Sequence, residues 1–414
     1  MTIKHRLIVM NFLEFFIWGS WLISLGGYMI VTLKFTGGQV GSIYATMGIA
    51  SLFMPAVLGI VADRWVHAER VLGACHILGA VLLLLASTAT EFHTMYLLML
   101  LNAMLYMPSI ALNNAVSYTV LEKYGFDIIK DFPPVRVWGT VGFIAAMWIV
   151  DLLGWTLSPY QLYVSAISAL LLGVYSFTMP SCPPAKSLAT GSLLSSLGLD
   201  ALVLFKQRKM LVFFIFAMLL GAALQITNTF GQPFLHDFTA SYPGTFAVDH
   251  PGLLMSISQI SETLFILTIP FFLQRFGIKT VMLLSIFAWA LRFALFGIGN
   301  PGGGLVFLVL SMIIYGLAFD FFNISGSLFV KKEAAANMVA SAQGLFMLMT
   351  NGVGAFLGGM VSGVVVDYFT VDGVKDWPSI WFTFAAYAVV LGLVFPFIFN
   401  YRHDPGAVKA IQHS

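Results

Sequence analysis

Long apolar runs separated by short polar stretches dominate the chain. A helix of about 20 mainly apolar residues spans a bilayer core at 1.5 Å rise per residue. Twelve such segments can be read. They lie near 7–33, 39–63, 70–90, 94–121, 137–157 and 160–180, then near 210–236, 252–275, 279–298, 304–330, 340–368 and 379–400. Barrel strands would be short and alternate apolar with polar residues, whereas these runs are continuous, so helices are predicted. Lys4 and Arg6 ahead of Leu7 superficially resemble a signal peptide. That apolar run continues to Leu33, carries Glu14 and meets no small-residue cleavage site, so it is predicted to be the first spanning helix.

The longest polar interruption, Ser181 to Lys209, opens with Pro183-Pro184 and ends in basic residues. It predicts an N-terminal six-helix bundle over 1–180, a cytoplasmic linker over 181–209, a C-terminal six-helix bundle over 210–401 and a cytoplasmic tail over 402–414. Pro55 and Pro270, each in the second segment of its half, give a faint repeat signal. Of the 20 Lys and Arg, all but Lys34, Lys375 and Arg292 then fall on one side, including Lys186, Arg402 and Lys409. Basic residues are retained in the cytoplasm during insertion, so both termini are expected there.

Composition agrees with an all-α integral membrane fold. The chain is 59% hydrophobic and 9% charged, with a mean hydropathy of +0.92. A soluble domain is about 25% charged. The net charge of +2 points to no nucleic-acid partner. Cys75 and Cys182 have neither metal-ligand nor redox spacing.

The informative positions are ionisable or amide groups inside the apolar runs, where charge costs about 2.5–3.5 kcal/mol on insertion scales. Glu14, Arg136, Glu262, Arg292 and Asp320 qualify. Gln225 and Asn228 share one helix face, as do Gln259 and Glu262, and Asp320 and Asn323. Arg136, Thr140 and Phe143 follow one another along another face, and Phe319 flanks Asp320. Amides offer paired donors and acceptors, carboxylates accept from hydroxyls and aromatic rings stack. A neutral, flat, hydroxyl-rich solute such as a nucleoside would be satisfied by that set. Interhelical hydrogen bonding is the competing reading for the amides, and it is the one adopted for Arg292. Asn102, Asn113, Asn114, Gln343 and Asn351 stay open between the two.

A carboxylate in a dehydrated setting resists ionisation, so Asp320 is the first candidate for proton coupling and Glu262 or Glu14 the second. Gly59 to Arg64 places Asp63 and Arg64 at a helix end, a Gly-x-x-x-Asp-Arg arrangement suited to conformational gating and moderately specific for the major facilitator superfamily. The acceptor-like Asn323-Ile324-Ser325 lies inside an apolar run and is void as a glycosylation site. No zinc-protease, phosphate-loop or nucleophile-elbow motif is present, which excludes an ATP-driven pump and argues against an enzyme. A proton-coupled sugar or polyol carrier, a polytopic membrane enzyme and a non-transporting receptor remain as alternatives.

Phe16 to Trp21, Asp131 to Thr140, Leu224 to Asn228, Ser256 to Glu262 and Ala318 to Ser325 resemble the nucleoside:proton symporters of the major facilitator superfamily. The resemblance covers nearly the whole chain. It implies a twelve-helix fold, alternating access and inward nucleoside transport, with the proton as coupling ion and no cofactor. It also implies substrate contacts at Arg136, Gln225, Asn228, Gln259, Glu262, Phe319 and Asp320, with Thr140 and Phe143 as neighbours. A monomer is expected.

Overall fold

A computed structural model describes residues 2–184, 199–335 and 338–401. Positions 185–198 of the expected linker, with Lys186, and the expected tail 402–414, with Arg402 and Lys409, lie outside the described residues. The chain divides into two compact units, Met1–Leu197 with Asn228–Pro233, and Gly198–Thr227 with Phe234–Ser414.

The first unit begins with α1 (Ile3–Gly19). This helix gives way at Ser20, whose hydroxyl donates to the Phe16 carbonyl at 2.8 Å, while the Ser24 hydroxyl donates to Gln161 Oε1 at 2.7 Å. Such local bonds compete with the helical ladder. The segment resumes as a turn at Leu25–Gly27 and a π-helical turn at Tyr28–Thr32. α2 (Gly37–Arg64) starts at a capping box between Thr36 and Gln39. α3 (Ala68–Ser87), α4 (Phe92–Lys123), α5 (Ile128–Leu152) and α6 (Tyr160–Ser176) follow. Asp127 caps α5 by accepting from the Ile129 amide at 2.9 Å. The fifth helix thus begins earlier than the apolar run suggests, and Arg136 lies inside it.

α1 packs against α5, and α3 against α4 and α6. The α1–α5 crossing is close because Gly142 has no side chain: a Cβ there would lie 2.9 Å from the Phe12 carbonyl carbon. Small residues permit this approach between membrane helices.

The second unit holds most of α7 (Arg208–His236), then α8 (Pro251–Ile266), α9 (Ile269–Ile298) and α10 (Leu305–Glu333). α11 (Val339–Tyr368) contains a π-helical stretch at Leu348–Gly354, and α12 (Trp377–Ile398) closes the unit. Gly277, at φ 75°, interrupts α9, at the polar gap expected between 275 and 279. Thr370–Val371 (β1) and Val374–Lys375 (β2) form a two-residue-loop hairpin through Asp372-Gly373, a sequence suited to a type I′ turn.

Among the described residues, nine helices are long and apolar enough to cross a membrane, and Tyr160–Ser176 is a shorter apolar helix. The first and eighth expected segments are missing from those nine because backbone breaks divide them into shorter pieces. Leu97, Leu267, Val364, Leu393 and Phe397 are each more than half exposed. That apolar exterior suits lipid, and the chain is a multi-pass membrane protein.

Candidate functional site

In the first unit the glycine crossing sets α5 against α1. It lays the Arg136 guanidinium over the Phe15 ring, 3.9 Å from its centroid. Phe143, two turns along α5, is buried edge-on against Trp18 with ring centroids 6.1 Å apart. Thr140, between them, is half-buried. The predicted stripe of Arg136, Thr140 and Phe143 therefore packs an aromatic layer on α1 and keeps its polar members partly accessible.

Glu14 is fully buried in the same unit. Its Oε2 lies 2.8 Å from His76 Nε2 of α3, and its Oε1 accepts from the Ser109 hydroxyl of α4 at 2.6 Å. The Tyr106 hydroxyl donates to the Glu14 carbonyl at 2.7 Å. One turn earlier on α1, Asn11 Oδ1 accepts from Asn113 Nδ2 at 2.9 Å, and Asn11 Nδ2 donates to the Ser117 hydroxyl at 3.2 Å. Sequence reasoning left Asn113 open and missed His76. The available signal was an imidazole alone in the apolar run from Val71 to Ser87.

In the second unit Asp320 sits on α10, 5% exposed, and its Oδ2 has no hydrogen-bond partner among the described residues. Glu262 of α8 is half-buried and interacts electrostatically with Asp320. Both carboxylates act on Tyr315, one turn before Phe319 on α10. The Tyr315 and Phe319 rings stack at 5.7 Å and 3°. The structure thus brings Glu262, Phe319 and Asp320 into one aromatic-walled neighbourhood. Gln259, a turn before Glu262, is half-buried, and its Oε1 has no hydrogen-bond partner among the described residues.

A small cleft in this unit is lined by Leu224 of α7, Trp289 of α9, Phe319, Phe322 and Asn323 of α10, and Asn351 of α11. Its walls are an indole, two phenyl rings and two amides, residue types that stack on flat heterocycles and hydrogen-bond their edges. Trp289 and Tyr315 are further aromatic components that sequence reasoning did not single out. Gln225 on α7 is buried. Asn228, on the same face of that helix, is half-buried and groups with the first unit.

Arg292 is buried, with Nη1 donating to the Ser311 carbonyl at 2.7 Å and to the Ser258 hydroxyl at 3.3 Å. Its guanidinium lies 4.7 Å from the Tyr315 centroid. These contacts tie α8, α9 and α10 together. Ser285, two turns earlier on α9, shares its face and donates to the Ala318 carbonyl.

Asp63 and Arg64 are exposed at the end of α2, and Asp63 makes no ion pair or hydrogen bond among the described residues. Beyond them, Glu69 accepts from the Cys182 amide at 2.9 Å, and His67 Nδ1 lies 2.8 Å from the Ser181 hydroxyl. Both cysteines are free and buried. Among the described residues no group of histidine, cysteine and acidic side chains could hold a metal ion.

Buried carboxylates, stacked aromatics and amides within apolar helices are features expected of a polytopic transporter. A crystal structure of a peptide transporter superposes with a TM-score of 0.74 at 16% identity, covering 95% of this chain and 94% of that one, which supports the fold. The chain belongs to the nucleoside H+ symporter family, whose model matches residues 1–404. It is 56% identical to the xanthosine permease of Escherichia coli K12, with 100% of both chains covered. It is 53% identical to the nucleoside permease NupG of the same organism, again over 100% of both chains. A crystal structure of the nucleoside transporter NupG matches with a TM-score of 0.92 at 54% identity, covering 97% of this chain and 100% of that one. These relatives are permeases, not enzymes.

Proposed function

We propose that the chain imports nucleosides together with protons across a bacterial inner membrane by alternating access. On this reading it has twelve spans in two six-helix halves joined by a cytoplasmic linker, both termini in the cytoplasm, and acts as a monomer. Gln225, Asn228, Gln259 and Arg136 read the base, aided by Thr140. Glu262 and Asp320 accept from ribose hydroxyls, and Phe143 and Phe319 stack. Asp63 and Arg64 gate the conformational change at the α2 end.

The observation that carries the reading is the Asp320 carboxylate, buried with Oδ2 lacking a hydrogen-bond partner among the described residues and Glu262 acting on it. A buried carboxylate oxygen with no donor costs free energy unless a proton or a ligand hydroxyl satisfies it. Two like charges in one weakly screened setting also repel, and a proton on either relieves the repulsion. The site therefore favours a state carrying a proton, a substrate hydroxyl or both, which is the linkage a symporter needs.

Uptake of radiolabelled uridine and xanthosine into vesicles, with and without an imposed inward proton gradient, tests the function. Accumulation that rises with the gradient is expected. Accumulation unaffected by the gradient, or failure of both nucleosides to compete with the transported solute, contradicts it. The second outcome favours a sugar or polyol carrier.

A further inference from the structure

The Glu14–His76 pair is the most completely enclosed contact between an acid and a base among the described residues: the two side chains are 0% and 3% exposed, with Oε2 and Nε2 2.8 Å apart. Counting 1.5 Å per residue, Glu14 lies about 16 Å along α1 from Ile3 and His76 about 12 Å along α3 from Ala68. Both depths fall well inside a hydrocarbon core about 30 Å thick. An ionisable pair at such a depth is costly for a structural contact that two apolar residues could supply.

We infer that His76 is the proton partner of Glu14, and that the pair binds and releases one proton in each transport cycle. The inference rests on the reading of the chain as a proton symporter, and adds to it a proton-carrying site in the first unit. Neutral His76 with its proton on Nε2 donates to ionised Oε2, and the pair then carries one negative charge. Adding one proton gives either imidazolium beside carboxylate or imidazole beside carboxylic acid. Each of these forms is net neutral and keeps a hydrogen on the Nε2–Oε2 line. The two states differ by one proton and one charge, and the enclosed geometry suits the neutral one. A conformation that opens the pair to water admits the other.

The surroundings keep this exchange simple. Ser109 supplies the hydrogen bond to Oε1 and leaves Oε2 to the imidazole. Tyr106 of α4 meets the His76 ring edge-on at 6.2 Å, but its hydroxyl is committed to the Glu14 carbonyl. The Glu14 charge also reaches Cys75 on α3, and the Arg136 charge from α5 reaches Tyr106. α6 meets α3 through Gly73, Gly173 and Phe177, none of them ionisable. His76 is therefore the only imidazole and Glu14 the only carboxyl among these groups.

The test uses the full-length chain in proteoliposomes with His76→Gln and Glu14→Gln variants, each measured in two ways. Labelled-uridine counterflow without a pH gradient reports substrate binding and the carrier cycle. Accumulation driven by an imposed proton gradient reports coupling. We expect both variants to keep counterflow within about twofold, to lose at least about tenfold in driven accumulation, and to flatten the pH profile of uptake. The double variant should be no worse than either single, because the residues act as a unit.

Ser109→Ala keeps both titrating groups and should retain accumulation with a displaced pH midpoint, which guards against a His76 variant that fails to fold. Driven accumulation by His76→Gln with the wild-type pH profile overturns the inference. So does a parallel loss of counterflow and accumulation in His76→Gln combined with an unshifted profile in Ser109→Ala, which marks a structural contact. Failure of counterflow in the unsubstituted chain counts against nucleoside transport itself, and is thereby distinguished from failure of the pair.

Discussion

Each unit of this protein buries a carboxylate within apolar helices, and the two are treated in opposite ways. Glu14 in the first unit has both oxygens engaged, one by His76 and one by Ser109. Asp320 in the second has Oδ2 without a hydrogen-bond partner among the described residues and a second carboxylate, Glu262, acting on it. A carboxylate whose partners are all supplied by the protein has little left to offer a solute. One with an open oxygen beside stacked aromatics can take a ribose hydroxyl or a proton from outside. On the proposed reading, the contrast separates a carboxylate that serves protons alone from one that serves both protons and substrate.

The most disruptive way to probe that contrast is Asp320→Asn. It should cut gradient-driven nucleoside accumulation by about 100-fold and also raise KM, since on the proposed reading the same oxygen serves both tasks. Uptake assays over a range of substrate concentrations check both effects. Gln225→Ala should raise KM about tenfold while leaving the pH profile in place, as expected for loss of a hydrogen bond worth about 0.5–1.5 kcal/mol net. Glu14→Gln should leave KM for uridine within about twofold, and a large rise in KM would erase the distinction between the two carboxylates.

The smallest effect is expected at Cys182, outside the spanning helices. Burial pushes its thiol up to about 11, with the Glu69 carboxylate adding to the shift and Lys123 opposing it. A raised value keeps the sulfur protonated through neutral pH, so maleimide labelling should be slow at pH 7 and quicken as the medium becomes alkaline. Mass spectrometry of labelled protein reads this directly. Labelling should not change when nucleoside is added.

Much of the helical layout was legible because lipid leaves the backbone few choices: apolar segments that cross it must satisfy their own amides, and helices do so. The gap expected between 275 and 279 coincides with Gly277 for the same reason, since a basic, glycine-containing stretch ends one apolar run and begins another. The break after Gly19 was not legible. Ser20 and Ser24 look like two small residues in an apolar run, and only the fold shows their hydroxyls bonded to Phe16 and Gln161. Glu262 and Asp320 stood out as acids in apolar surroundings, and the structure places Asp320 within reach of the Glu262 charge. Trp289 and Tyr315 did not stand out, because an aromatic ring in a membrane helix is ordinary until its neighbours are known. His76 was passed over because a histidine is neutral in a formal charge count, although its cost inside a membrane approaches that of an acid when it is protonated.

The central claim is that nucleoside and proton move together through a site to which the Asp320 carboxyl is essential. External pH, recorded as uridine is added to proteoliposomes with no imposed gradient, tests it most directly. Transient alkalinisation is predicted for the unsubstituted chain and its loss for Asp320→Asn. Alkalinisation of equal size in both, at equal nucleoside flux, would contradict the account.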